Sequence, residues 1–216
     1  SNAFITALNT EGTKEIKQLF DDKVFSFPKS TQLIKSLILQ GMNKDDIILD
    51  FFSGSSTTAH AVIQLNADDM TIGKRKYIMV QLPEVCDENS EAFKTGYKNI
   101  CEIGKERIRR AGEKIKTDLA AKSDGKLDFS ADRTAKPESL DIGFRVLKVD
   151  STNMKDVYYA ANEYEHNQLD MFESNIKDDR TPLDLLYQCL LDWGLSLSLP
   201  HTIEKIDKVS VHTVDN

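Results

Sequence analysis

Residues 47–62, IILDFFSGSSTTAHAV, constrain the fold more than any other stretch of the chain. Ile47-Ile48-Leu49 is a short, fully apolar strand pattern that ends on Asp50. The aromatic pair Phe51-Phe52 follows, then a loop of small residues, Ser53-Gly54-Ser55-Ser56. Thr57 and Thr58 lead into a helical pattern with Ala59, Ala61, Val62 and Leu65 as its apolar positions. Strand, glycine loop and helix N-terminus are the parts with which α/β proteins hold a ligand at the carboxyl end of a central strand. Gly54 lets the backbone approach a ligand with no Cβ in the way. The first amides of the helix lack intrahelical acceptors and favour an anionic group. Taken alone, the same residues also fit a buried strand followed by a polar turn that binds nothing.

The kind of anion follows from what the loop lacks. A dinucleotide fingerprint needs G-x-G-x-x-G, and only Gly54 is present. A P-loop needs Gly-Lys-Ser/Thr at its end, and residues 50–65 contain no lysine. The loop therefore suits a smaller anion, such as the carboxylate of an amino-acid-like cofactor. The string D-F-F-S-G-S-S-T-T-A-H-A-V resembles the S-adenosylmethionine-binding motif of DNA amino-methyltransferases. The likeness is strongest to the modification (Mod) subunits of type III restriction–modification systems, where the pattern reads D-F-F-A-G-S-G-T-T. The resemblance implies cofactor contacts from Asp50, Phe51, Phe52, Gly54, Ser55, Thr57 and Thr58. Ser56 stands where that family has a second glycine. If the position needs a positive φ, serine there costs roughly 1–2 kcal/mol and weakens cofactor binding.

Two flanking segments carry the same resemblance. Phe25-Ser26-Phe27-Pro28-Lys29-Ser30 precedes a helix predicted over residues 31–40 and is similar to the methyltransferases' motif X, F-x-x-P-K-P. By that likeness Phe27, Pro28 and Lys29 line the methionine half of the cofactor, with Ser30 replacing the usual proline. Residues 76–82 form a second strand stopped by Pro83. In nucleotide-binding α/β folds the end of this strand offers a polar group to the ribose hydroxyls. The Mod-like Q-L-x-E pattern leaves Gln81 and Glu84 both eligible.

Elsewhere the pattern is mixed. Residues 4–24 are polar, with Ile16, Leu19 and Phe20 as their one apolar cluster, and read as a mobile lead-in with one helical turn. Residues 92–116 carry a long helical pattern whose charges lie three and four apart. That spacing indicates a solvated helix, with a DNA-facing patch at Arg107, Arg109 and Arg110 as the alternative. Residues 118–139 read as a loop or partly disordered insertion. Residues 144–149 alternate like an amphipathic strand, and residues 156–180 suggest short helices. Thr181-Pro182 is an N-cap and first-turn proline for a helix ended by Gly194. Residues 209–214 alternate as a strand or hairpin arm.

Three cysteines and four histidines form no metal-ligand spacing. The formal charge of −7 speaks against a chain that binds nucleic acid over its whole surface. No apolar run approaches the roughly 20 residues of a membrane span. Ser1-Asn2-Ala3 before Phe4, with no initiator Met, resembles a protease scar on a piece of a longer protein.

The expected fold is α/β. It comprises a partial Rossmann-like methyltransferase sheet with flanking helices, plus a smaller α+β C-terminal region. The expected organisation is a lead-in over 1–24, a cofactor-binding half over 25–117, an insertion over 118–139 and a scaffold over 140–216. The resemblance implies an adenine-N6 DNA methyltransferase using S-adenosylmethionine. It further implies DNA, a restriction subunit and a second Mod subunit as partners of the full-length protein in the cytoplasm. The family's D/N/S-P-P-Y/F motif is absent, because the prolines at 28, 83, 137, 182 and 200 are never adjacent. No catalytic residue is therefore expected here, and no activity from this chain alone. The competing expectation is a non-catalytic assembly or binding module with a degenerate loop.

Overall fold

A computed structural model describes residues 9–68, 74–124, 137–156 and 175–215. The chain divides between residues 143 and 144 into two compact units.

The first unit is built on a β-α-β repeat. Strand β1 (Ile47–Phe51) pairs in parallel with β2 (Lys76–Val80), with Ile47 opposite Lys76 and Phe51 opposite Val80. The preceding helices are α1 (Asn9–Phe20) and α2 (Thr31–Gly41), and α3 (Thr57–Asp68) connects the strands. Helix α3 packs against α2, β2 and the long helix α5 (Ile100–Asp124). Eight of its twelve residues are buried. A helix that is apolar nearly all round has to be enclosed, and α3 is the interior element here. On one side Ala61, Val62 and Leu65 join Ile38 of α2 and Ile48 of β1. A second cluster joins Ile16, Leu19 and Phe20 of α1 to Cys86, Ala92 and to Ile103 and Ala111 of α5.

Helix α1 corrects the reading of residues 4–24 as a lead-in with a single helical turn. Ile16 is fully buried, and Leu19 and Phe20 are buried with it against α5. Three apolar residues at i, i+3 and i+4 are enough to dock a polar helix once a partner surface exists, each contributing about 1.5–3 kcal/mol. Gly12 lets α1 come close to residues 28 and 29. A Cβ there would lie 2.2 Å from the Pro28 carbonyl oxygen.

Three further expectations change. The helical pattern over 92–116 breaks into α4 (Glu91–Lys94) and α5. Gly96 turns the chain at φ 98°, and Asn99 starts α5 by accepting the Glu102 N–H at 3.1 Å. Helix α5 also runs on to Asp124, into the expected insertion. Its stripe stays on one face, and Gly112 packs under Ile142. Residues 144–149 form no strand, since alternation marks a face but supplies no backbone partner. The short helices expected over 156–180 fall mostly outside the described residues.

The second unit holds α6 (Pro182–Asp192) and the antiparallel hairpin of β3 (His201–Ile206) and β4 (Val209–Val214). Asp207 and Lys208 turn the hairpin with φ of 48° and 73°, a primed turn that matches the twist of the strands. Thr181 and Asp184 form the reciprocal cap that starts α6. Arg145 donates to the carbonyls of Leu197 and Leu199. No described helix is long and apolar enough to cross a membrane.

Candidate cofactor-binding site

The loop after β1 is held from the neighbouring strand. Ser53 donates its N–H to the Val80 carbonyl at 3.1 Å, and Gly54 donates to the Gln81 Oε1 at 2.7 Å. The Ser56 N–H closes the turn onto the Ser53 carbonyl at 2.8 Å. Both Gly54 (φ 53°) and Ser56 (φ 58°) sit in the left-handed region. The condition set for Ser56 is therefore met: it occupies a conformation that glycine takes freely and serine does not.

In front of this loop lies a cleft of about 540 Å³. One wall is the segment Phe27-Pro28-Lys29, and a second is the α2 face carrying Ile34, Leu37 and Ile38. The floor is Asp50, Phe52, Gly54, Ser55, Thr57 and Thr58. Nine of the twelve residues expected at a cofactor site, from Phe27 to Thr58, thus meet around one cavity. Phe51 does not; its side chain lies on the exposed face of β1. Gln81 and Glu84 do not line the cleft either. The Gln81 amide is engaged by Gly54 and by the Leu82 carbonyl, and Glu84 is exposed to solvent.

Charge is arranged across the cleft. Asp50, at the end of β1, accepts a hydrogen bond from the Thr58 hydroxyl at 2.5 Å. Lys29, which also lines the cleft, is exposed. The first amides of α3 point out of the helix beside them, a place that favours negative charge.

A polar cluster that sequence reasoning missed lies behind the loop. Arg107 of α5 is fully buried. Its Nη1 donates to Ser55 Oγ at 2.9 Å and to Thr57 Oγ1 at 2.7 Å. Its Nη2 donates to Glu15 Oε2 at 3.2 Å and to Thr31 Oγ1 at 3.3 Å. Burial pulls the guanidinium down to about 10, with Glu15 pulling the other way, so it stays charged at neutral pH. The DNA-facing patch is thereby corrected. Arg107 faces inward, Arg109 and Arg110 both pair with Glu106, and Arg110 also lies over the Phe20 ring. A signal was present in the sequence: Arg107 falls within the apolar stripe of Ile103, Ile108 and Ala111. Such a position forces a long cation inward, where it has to find acceptors.

His60, on α3 beside this cluster, is held at about 3 by burial first and by the nearby Arg107 charge second. Its Nδ1 lies 3.4 Å from the Thr31 hydroxyl. Among the described residues no group of three or more histidine, cysteine or acidic side chains is placed to hold a metal.

Known proteins are similar to this chain. The chain is 44% identical over 131 residues to the Mod subunit of the type III restriction–modification enzyme StyLTI from Salmonella typhimurium, covering 61% of the chain and 20% of that protein. It is 44% identical over 112 residues to the EcoPI Mod subunit of Escherichia phage P1, covering 51% and 17%. It is also 41% identical over 91 residues to the type II methyltransferase M.KpnI of Klebsiella pneumoniae, covering 42% and 21%. The chain thus spans about a fifth of the length of these relatives. The sequence profile of the DNA methylase family matches residues 4–113, which hold α1, the cleft, its loop and the first half of α5. With over half its length matched in this way, the chain is Mod-like and belongs to the DNA methylase family.

Proposed function

We propose that the cleft in front of residues 54–58 holds the methionyl end of S-adenosylmethionine. On this reading the chain is the cofactor-holding part of an adenine-N6 DNA methyltransferase of a type III restriction–modification system. The observation that carries the proposal is the cleft itself, which opens onto the glycine turn and the first amides of α3. A methionyl group brings a carboxylate and an ammonium. The α3 amides and Lys29 suit the first, and Asp50, fixed by the Thr58 hydroxyl, suits the second. Phe27, Pro28 and Phe52 offer apolar surface to the rest of the molecule. When bound, the cofactor supplies an electrophilic methyl group; these residues bind and orient it. Of the two candidates for the ribose we assign Glu84, whose side chain is exposed, because the Gln81 side-chain amide is held at both ends, its Oε1 by the Gly54 N–H and its Nε2 by the Leu82 carbonyl.

The sheet would be part of a larger Rossmann-like one, with residues 25–117 as the cofactor half and 140–216 as scaffold. DNA, the restriction subunit and a second Mod subunit would be met through the full-length cytoplasmic protein. No adjacent proline pair exists to receive a flipped adenine, so the chain alone is expected to transfer no methyl group. Calorimetry with S-adenosylmethionine tests the cofactor site: absence of heat at millimolar concentrations rejects it. A methyl-transfer assay on the chain alone tests the second statement, and any turnover refutes it. The reading as a binding module with a degenerate loop is favoured by one observation, the positive φ of Ser56. Micromolar cofactor binding would exclude it.

A further inference from the structure

Arg107 lines no part of the cleft, and the binding chemistry above makes no use of it. It nevertheless bonds to the loop after β1, to the start of α3 and to the start of α2. We propose that Arg107, anchored by Glu15, is a positioning residue that fixes the cofactor loop and joins it to the Phe27–Lys29 wall. The inference rests on reading the cleft as the methyl-donor site and names the residue that gives the site its shape.

Ser56 has a φ of 58°, a strained state for a residue with a Cβ, and such states persist where the surroundings over-determine them. Arg107 Nη1 grips the hydroxyls of Ser55 and Thr57, one on each side of Ser56. Two bonds from a cation, donated in one plane, fix the separation of the flanking residues more firmly than neutral bonds would. The amides that face the cleft inherit that geometry.

The other half of the guanidinium is fixed independently. Glu15 accepts from Nη2, and its carboxylate also takes the Thr31 N–H at 3.1 Å and the Thr31 hydroxyl at 2.5 Å. Thr31 opens α2 directly after its cap Ser30, which follows the wall segment. Thr57 Oγ1, while accepting from Arg107, donates to the Lys29 carbonyl at 3.4 Å. One buried cation therefore sets the loop, the start of α3 and the opposite wall relative to each other. Gly104, one turn before Arg107, completes the fit. A Cβ at 104 would lie 2.6 Å from Ser56 Oγ and 3.4 Å from the Gly54 carbonyl oxygen, so its absence lets α5 lie close beneath the loop.

The test uses the full chain with Arg107→Lys, which keeps the charge and loses the fork, and Glu15→Gln, which removes the charge of the anchor and leaves the lining of the cleft unchanged. Amide hydrogen exchange over residues 53–58 is compared with exchange over the rest of α5 and over the β3–β4 hairpin. The expected result is a rise of roughly ten-fold or more confined to the loop and the 27–31 segment. Titrations with S-adenosylmethionine and with adenosine, which has no methionyl group, supply a second reading. Both variants should weaken the first by about ten-fold and the second by less than about two-fold. If Arg107→Lys fails to fold, Glu15→Gln decides between the outcomes alone. Unchanged loop exchange in a folded variant overturns the proposal, whether or not the wild type binds cofactor. Raised loop exchange in a chain that binds no S-adenosylmethionine upholds the positioning role and rejects the cofactor reading instead.

Discussion

Single residues of this protein are constrained in groups. Ser56 and Gly104 occupy one space: the serine hydroxyl fills the volume a Cβ at 104 would need. Gly104→Ala is expected to destabilise the chain by about 1–3 kcal/mol through overpacking. Ser56→Gly should relieve the left-handed strain, a gain of about 1 kcal/mol, and should recover most of the loss when combined with Gly104→Ala. Urea denaturation of the three variants checks this, and simple additivity of the two changes would refute the shared space. His60 gives a pH signature. Its folded value of about 3 lies below the 6.5 of an unfolded histidine. Between those limits the unfolded chain binds the extra proton, so stability is full above pH 6.5 and falls as the pH drops. The loss by pH 5 is about 2 kcal/mol. His60→Gln should flatten the stability profile between pH 7 and 5, as followed by thermal melts, and a profile of unchanged slope would count against a half-buried neutral imidazole.

At the scale of elements, capping and enclosure did different work. Helix α6 starts where Thr181 and Asp184 exchange bonds, with Pro182 pre-set for the first turn. This boundary was readable in the sequence because every partner lies within three residues. Thr181→Ala should cost about 1 kcal/mol, seen as a lower melting temperature with the first unit undisturbed; no change would mean the cap is replaced by water. Helix α1 was not readable in the same way. Its apolar residues are few, and its stability comes from α5, which lies far along the chain. The alternation of residues 144–149 failed in the opposite direction, giving the right pattern with no strand beside it.

For the whole chain, the conspicuous surface is the uncovered face of the β1–β2 pair. Ile47, Leu49 and Phe51 are 57%, 55% and 64% exposed, and Ile78 and Val80 lie beside them at 51% and 47%. Parallel strands are normally covered on both faces, and an exposed apolar strand edge favours association. Self-association is therefore expected at concentrations of tens of micromolar and above. Leu49→Lys should shift sedimentation toward monomer without lowering the melting temperature. A wild-type chain that sediments as a clean monomer would refute the expectation.

The sequence by itself determined the β-α-β core and the loop after β1, local consequences of an apolar strand, one glycine and a threonine-led helix start. That Phe27, Pro28 and Lys29 face that loop was implied by the family resemblance, and the fold brings them there. The strand over 209–214 and the cap of α6 were legible for the same local reason, whereas the partner strand β3 was not. Only the tertiary structure decided that residues 9–20 form a helix, that Gln81 supports the loop from behind, and that Arg107 faces inward. Each depends on partners dozens of residues away: Glu15 and Arg107 meet across 92 positions of chain. Periodicity reports which face of a helix is apolar. It carries no information on which distant carboxylate will be there to receive a buried charge.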